Sequence, residues 1–480
     1  MIKPALPLTV LVALLSACSL APTYQRPEAP VAAAFPADSA GAAARTSVPL
    51  PLAAGVRDAV DTGWRDYFAD PRLQQLIAAA LENNRDLRSA ALRIEEARAQ
   101  YDIQSADRLP NVNANASATK AKTPAFLSPS GQTSIGKRYD AGLALSSFEL
   151  DFFGRVKSLN DAALAAYLAT DEARQAAQIS LVAQVAQAYY TERAYAEQYA
   201  LAQQTYDARA RTYKLTQQRA EVGASSRLDL RANETLMETA RVAALTLARQ
   251  RAQADNALTL LVGQPASAGS AAAAGAMPND QQIDALSALP TGLPSDLLAR
   301  RPDIRAAEQR LKSANANIGA ARAAFFPRIS LTAALGSSSP SLNGLFDGGS
   351  GSWSFAPQLS LPIFDAGRNR ANLGLAEVRK HLAVADYEKT IQTAFREVAD
   401  ALAARDYLGE QVSAQRAVQD AQADRLKLLQ LRFDNGVASS LDVLDAQREL
   451  FSAQQTLVQA RLQRTTSAID LYRALGGGVK

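Results

Sequence analysis

Residues 155–222 hold no glycine and no proline over 68 consecutive positions and are dense in Ala, Gln, Leu, Glu and Arg. Such side chains lose little rotamer freedom in a helix, so the stretch is predicted to be helical from end to end. At about 1.5 Å per residue it would run roughly 100 Å, where an ordinary helix has about a dozen residues. No compact core buries a helix of that length. A coiled coil, a membrane-normal rod or a wall element of something tall can use one.

The stretch occurs twice. Gly154-Arg155 opens the first copy, and Gly223-Ala224-Ser225-Ser226 closes it; Gly367-Arg368 opens the second, and Gly436-Val437-Ala438-Ser439-Ser440 closes it. Both glycine pairs are 213 positions apart, as are Gly263 and Gly476. Upstream, Asp86-Leu87-Arg88 matches Asp303-Ile304-Arg305 and Pro110 matches Pro327 at an offset of 217, so the first copy carries four extra residues between Pro110 and Gly154. A period above 200 is too long for a solenoid unit of about 20–50 residues. The chain is a duplicated half-molecule.

Charge is nearly balanced, 51 Lys+Arg against 47 Asp+Glu, with no basic block that would suggest nucleic acid. One histidine, one cysteine and three methionines leave little material for a metal site, and none is expected. Lys3 and the apolar run 6–15 lead into Leu15-Ser16-Ala17-Cys18, a lipoprotein leader over 1–17 with Cys18 as the acylated, palmitate-bearing residue. Its alternative is an ordinary signal peptide with an incidental cysteine. Ser19 fits outer-membrane sorting of such lipoproteins. Residues 18–62 form a Pro/Ala-rich tether. No later run of about 20 apolar residues reads as a transmembrane helix.

Residues 64–107 are predicted helical, with Asp70-Pro71 as a start and Leu73, Leu76, Ile77 and Leu81 on one face. After Pro110 the period changes to two. Val112, Ala114, Ala116 and Ala118 alternate with Asn113, Asn115, Ser117 and Thr119, and residues 139–145 alternate again. The second half repeats this with Ile329, Leu331, Ala333 and Leu335, then Trp353, Phe355, Leu359, Leu361 and Ile363, around a Gly/Ser/Pro-rich loop at 337–352. Residues 293–324 return to helix. The domain plan is leader 1–17, tether 18–62, first repeat 63–264, linker or equatorial segment 265–292, second repeat 293–476 and tail 477–480.

Each half thus holds one hairpin of strands about ten residues long, the length of a tilted transmembrane β-strand. Strand period alone fits a soluble hairpin with one buried face equally well. Lipidation and the very long helices favour the membrane. Four strands cannot close a barrel and lipid tolerates no open edge, so several chains must share one; two, three or four copies would supply eight, twelve or sixteen strands.

Further motifs carry a resemblance. Trp64-Arg65-Asp66-Tyr67-Phe68, the run from Leu293 through Arg300-Arg301-Pro302-Asp303-Ile304, Ile318-Gly319-Ala320-Ala321-Arg322 and Pro362-Ile363-Phe364-Asp365-Ala366-Gly367-Arg368 resemble the lipid-anchored branch of the TolC/OprM-like outer membrane factor family. The resemblance covers nearly the whole chain. It implies a mainly α protein with a transmembrane β part: a homotrimer whose four strands per chain build a 12-stranded β-barrel, continued by a long-helix α-barrel through the periplasm of a Gram-negative cell. It also implies a passive outer-membrane duct of a tripartite efflux system, with a periplasmic adaptor and an RND-type inner-membrane pump as partners.

No catalytic constellation is visible, and no enzyme and no cofactor beyond the lipid on Cys18 are expected. The tips Gly223, Ala224, Ser225, Ser226 and Gly436, Val437, Ala438, Ser439, Ser440 read as plain helix–turn–helix corners; by resemblance they dock the adaptor. Beyond the second tip, Leu444, Phe451, Val458, Thr465 and Tyr472 recur every seven residues with Leu441, Arg448, Gln455, Leu462 and Ile469 beside them. Arg448 lies one turn from Asp445, within pairing reach. A snorkelling arginine with a surface partner explains this blandly; by resemblance Leu441, Asp445 and Arg448 ring a periplasmic aperture. Competing functions are a duct for type I protein secretion and a structural coiled-coil lipoprotein. The alternating hairpins count against the spacer.

Overall fold

The computed structural model describes residues 19–32, 35, 59–129, 131–265, 277–287, 289 and 294–479. Cys18, the leader 1–17, and much of the tether 18–62 and linker 265–292 lie outside the described residues. In chain order the elements are α1 (Trp64–Tyr67), α2 (Pro71–Asn83), α3 (Arg85–Ala106), β1 (Val112–Thr123), β2 (Ser134–Leu150), α4 (Arg155–Glu221) and α5 (Arg227–Val262). There follow α6 (Asp280–Ser287), α7 (Pro294–Arg300), α8 (Pro302–Ala323), β3 (Arg328–Ser339), β4 (Gly351–Ser360), α9 (Arg368–Asp434) and α10 (Ser440–Ala474).

The duplication is plain in this order. Helix, hairpin, long helix and helix recur, with α4 and α9 at 67 residues each and α3 and α8 at 22 each. The four extra residues of the first copy go into its hairpin, where β2 reaches 17 residues against 10 for β4.

Several sequence readings need correction: the helix expected over 293–324 is broken before Pro302 into α7 and α8, and β4 stops at Ser360, short of Leu361 and Ile363. The predicted helix over 64–107 is three helices. Pro71 has no amide to donate, so the chain breaks before it and the Asp70 side chain accepts from the amides of Arg72 and Leu73. A second break falls at Asn84, whose Oδ1 caps α3 by accepting from the Leu87 amide while its Nδ2 donates to the Leu261 carbonyl. A further correction concerns the loop at 337–352: β3 runs on to Ser339 and β4 begins at Gly351, because Gly336 to Ser338 and Gly351 still find ladder partners.

The described residues divide into two compact units, and the division cuts across the repeat. One unit gathers residues of 1–28, 92–171 and 306–388. Its centre is a single antiparallel sheet in the order β1-β2-β3-β4. The register puts Val112, Leu145, Ala333 and Phe355 in one row and Ala114, Leu143, Leu335 and Trp353 in the next. Alternation then sends Asn113, Asn115, Ser117, Asp140, Ser352 and Ser354 to the opposite face. The apolar face is open: Trp353 is 78% exposed and Leu335 68%. Gly142 and Gly336 oppose each other across β2 and β3, and a Cβ on either would collide with the other strand's backbone. At the foot of the sheet Glu149 accepts two hydrogen bonds of 2.8 Å from Arg155, the first residue of α4, and pairs with Arg328 at the start of β3.

Residues 20–26 lie along α8 in the same unit. Asn315 Nδ2 donates to the Pro22 carbonyl, and Gly319 leaves room for Ala21, which a Cβ would fill. The buried Glu308 carboxylate accepts from Arg26 Nη2 at 2.7 Å and from the Tyr24 hydroxyl at 3.2 Å, and pairs with Lys312 at 3.2 Å. Burial alone would raise this carboxyl; the hydrogen bonds from Arg26 and Lys312 outweigh it and hold it below its ordinary 4.5. A depressed carboxyl adds stability that is present above the unfolded value and is lost as pH falls through the folded one. Backbone amide protection of residues 20–26 is therefore expected to fall as pH drops below about 4.5. Hydrogen exchange should show this in the wild type, whereas Glu308→Gln should be poorly protected at every pH. Equal protection in both proteins would remove Glu308 from the clasp.

The other unit gathers residues of 29–91, 172–305 and 389–480. In it Tyr472 is buried, stacked on Tyr67 with ring centroids 3.9 Å apart and edged by Phe68. Both hydroxyls are used: Tyr67 shares its one proton between the Leu286 and Ala468 carbonyls, and Tyr472 donates to the Thr62 carbonyl. Leu73, Leu76 and Ile77 are buried here, as their spacing predicts. Arg301, between α7 and α8, donates to Asp303, to Glu397 on α9 and to the Ala474 carbonyl at the end of α10.

Candidate gate and docking tips

The two turns between long and shorter helices have the same construction. Gly223 and Gly436 each take a left-handed conformation (φ +76° and +74°), which glycine adopts without strain and which ends the long helix. Ala224 N–H then donates to the Arg219 carbonyl at 2.7 Å, and Val437 N–H to the Arg432 carbonyl at 2.8 Å. Ser226 and Ser439 start the next helices by accepting from the amides of Asp229 and Asp442. Hydrogen bonds from those serine hydroxyls hold both aspartates below the usual carboxylate range. Ser440 also donates to Asp229 at 3.3 Å, so the tips touch each other. Val222, Leu228, Val437 and Leu441 present apolar surface around these polar corners.

About one and a half turns into α10, Asp445 pairs with Arg448 and lies 3.4 Å from Arg425 of α9. Arg448 also reaches Glu449 at 3.4 Å. All of these side chains are partly exposed, and Leu441 is 69% exposed. The structure thus brings Asp445 and Arg448 together as their spacing predicts, and it adds Arg425. That arginine is 20 residues away in the chain, placed by the reversal at Gly436. The heptad stripe is buried from Val458 onward, at Leu462, Thr465, Ile469 and Tyr472. Towards the tip, Leu444 and Phe451 are only half-buried, and the packed face is Val443, Ala446 and Ala453. In the first half Arg231 pairs with Glu234, and Asp229 serves its cap.

Among the described residues no three His, Cys, Asp or Glu side chains converge as metal ligands would, and no helix is long and apolar enough to cross a membrane.

Comparison with known proteins gives one answer throughout. Residues 76–264 and 293–477 match the family described as outer membrane efflux protein. The chain is 48% identical over 478 residues to the antibiotic efflux pump outer membrane protein ArpC of Pseudomonas putida, covering all of this chain and 96% of that protein. It is 50% identical over 481 residues to the outer membrane protein OprJ of Pseudomonas aeruginosa, covering 99% and 96%. Among solved structures, the open state of the Neisseria gonorrhoeae MtrE outer membrane channel superposes with a TM-score of 0.82 at 42% identity, covering 96% of this chain and 99% of that one. Mainly helical, with four strands per chain, the fold class is the one expected from the sequence.

Proposed function

Because the chain belongs to the outer membrane efflux protein family, we propose that three copies of it form the passive exit duct of a tripartite efflux system for small toxic molecules. The observation that carries this reading is the sheet: one apolar face, one polar face and two unpaired edge strands, β1 and β4. Lipid accepts an apolar face but not an open edge, so β1 must pair with β4 of another copy until a ring closes. Three copies give a twelve-stranded barrel with Asn, Ser and Thr inside. The antibiotic-exporting relative supports a drug or toxin as cargo. In this arrangement Cys18 carries the lipid anchor, the tips at 223–226 and 436–440 receive a periplasmic adaptor, and an inner-membrane pump of the RND type supplies the energy. The duct performs no chemistry and needs no cofactor.

Leu441, Asp445 and Arg448 then repeat three times around the periplasmic mouth and hold it narrow. The Asp445–Arg448 pair lies within one α10, so the closing contacts are those these side chains make between copies. An exposed ion pair contributes up to about 1 kcal/mol, so three inter-chain pairs contribute at most about 3 kcal/mol, within reach of adaptor binding. In planar bilayers, trimers purified from outer membranes should conduct, and Asp445→Ala/Arg448→Ala should raise the open fraction by up to about a hundredfold. Unchanged conductance in the double variant removes the gate. No conductance from either protein, with single chains on negative-stain grids, removes the duct.

A further inference from the structure

The first hairpin changes character along its length in a way the duct does not require. On the face shared with Val112 and Leu145, successive rows are Ala114 with Leu143, Ala116 with Ala141, Ala118 with Tyr139, Lys120 with Lys137, and Lys122 with Ile135. The surface thus passes from aliphatic to a single tyrosine and then to three lysines. From Val112 to Lys120 is eight steps along the strand, roughly 20 Å of height at a tilt of about 40°, close to the apolar band of a membrane barrel. A tyrosine followed by snorkelling lysines is what the edge of a hydrocarbon layer selects.

The charge here is one-sided. Residues 112–139 contain no Asp or Glu at all. Asp140, the next acidic residue, lies on the opposite face and is paired with Arg138 at 2.8 Å. Lys120 and Lys137 stand directly opposite each other, an arrangement that costs stability when nothing lies between the charges. All three lysines are exposed, and none meets a carboxylate among the described residues. An anion held between them would turn that repulsion into attraction.

We propose that Lys120, Lys122 and Lys137 bind the phosphorylated headgroup of a glycolipid in the outer leaflet, an inference that rests on the barrel reading given above. Lysines suit this ligand because each presents a compact charge on a long apolar stem that lies along the acyl chains. The free end of the hairpin, away from α3 and α4, carries the site, so each protomer would hold one headgroup beside its own β1–β2 pair.

The test uses full-length trimers, stripped of lipid and placed in phosphatidylcholine nanodiscs, titrated with diphosphorylated lipid A and followed by native mass spectrometry. Wild type should hold lipid A through detergent exchange, and Lys120→Gln/Lys122→Gln/Lys137→Gln should bind it about a hundredfold more weakly, each lysine being worth several-fold. The all-arginine variant should bind like the wild type. Millimolar inorganic phosphate should not displace the lipid. Equal retention by the triple glutamine variant, or displacement by free phosphate alone, overturns the proposal. Conductance of the same samples separates the two readings: a triple variant that conducts normally but loses lipid A supports the site, and one that conducts normally and keeps it refutes the site while leaving the duct intact.

Discussion

Gly336→Val should abolish the assembled barrel. Gly336 and Gly142 face each other where β2 and β3 approach so closely that a Cβ on Gly336 would run into the Ala141 carbonyl, and one on Gly142 would lie 2.5 Å from the Leu335 carbonyl oxygen. Both obstacles are backbone, so no rotamer change relieves them, and only displacement of one strand would. That displacement unmakes ladder bonds on both sides in the middle of a four-stranded sheet. The cost should exceed about 3 kcal/mol per chain, and in a ring of three it is paid three times. Outer membranes carrying Gly336→Val should contain little or no trimer resistant to mild detergent. Gly142→Val should behave alike, whereas Ser338→Ala, two positions along the same face, should assemble normally. Normal trimer yield from both glycine variants would show that the two strands lie farther apart than described.

Arg301→Ala should have the second largest effect, in the other unit. Arg301 is only 7% exposed, and its guanidinium makes four hydrogen bonds: two to Asp303, one to Glu397 at 2.9 Å and one to the Ala474 carbonyl at 2.9 Å. Burial works against the charge, but the Asp303 and Glu397 carboxylates outweigh it and raise the guanidinium further above its usual range. Truncation leaves Glu397 with only the longer contact to Arg473 at 3.9 Å and takes the guanidinium from the Ala474 carbonyl, which costs up to about 3 kcal/mol. Arg301→Lys should recover only part of this, since one ammonium cannot span both carboxylates and a carbonyl. Thermal unfolding in detergent checks it; a lysine variant as stable as the wild type would mean that charge alone, without the planar fork, suffices.

These two sites mark what could be read along the chain and what could not. Alternation of Val112, Ala114 and Ala116, and of Trp353 and Phe355, announced both hairpins because strand period is a local signal. Gly223 and Gly436, each with a serine three positions on, announced the helix turns for the same reason. The pairing of Gly142 with Gly336 was hidden, since the register between two hairpins is set by residues nearly 200 positions apart. Arg301 and Glu397 are separated by 96 residues, and Arg26 and Glu308 by 282, so neither clasp leaves a local trace. The break at Asn84 leaves only a faint local trace. Asparagine is a cap residue, but the apolar period continues through it. At the gate, the Asp445–Arg448 spacing was visible, whereas Arg425 needed the position of the turn.

The ring of aromatic contacts at Tyr472 has a consequence for biogenesis. Its hydroxyl reaches Thr62, 410 residues earlier in the chain, and Ala468 receives the hydroxyl of Tyr67 across 401. The C-terminal residues are therefore the closing piece of a unit whose first helices lie about 400 residues earlier in the chain. Contacts at such separation are slow to find and leave apolar surface uncovered in the meantime. Such a unit cannot be completed piece by piece along the chain, as a bead-like protein would be. The apolar faces of the first helices therefore stay uncovered until the C-terminal helix is available to pack on them.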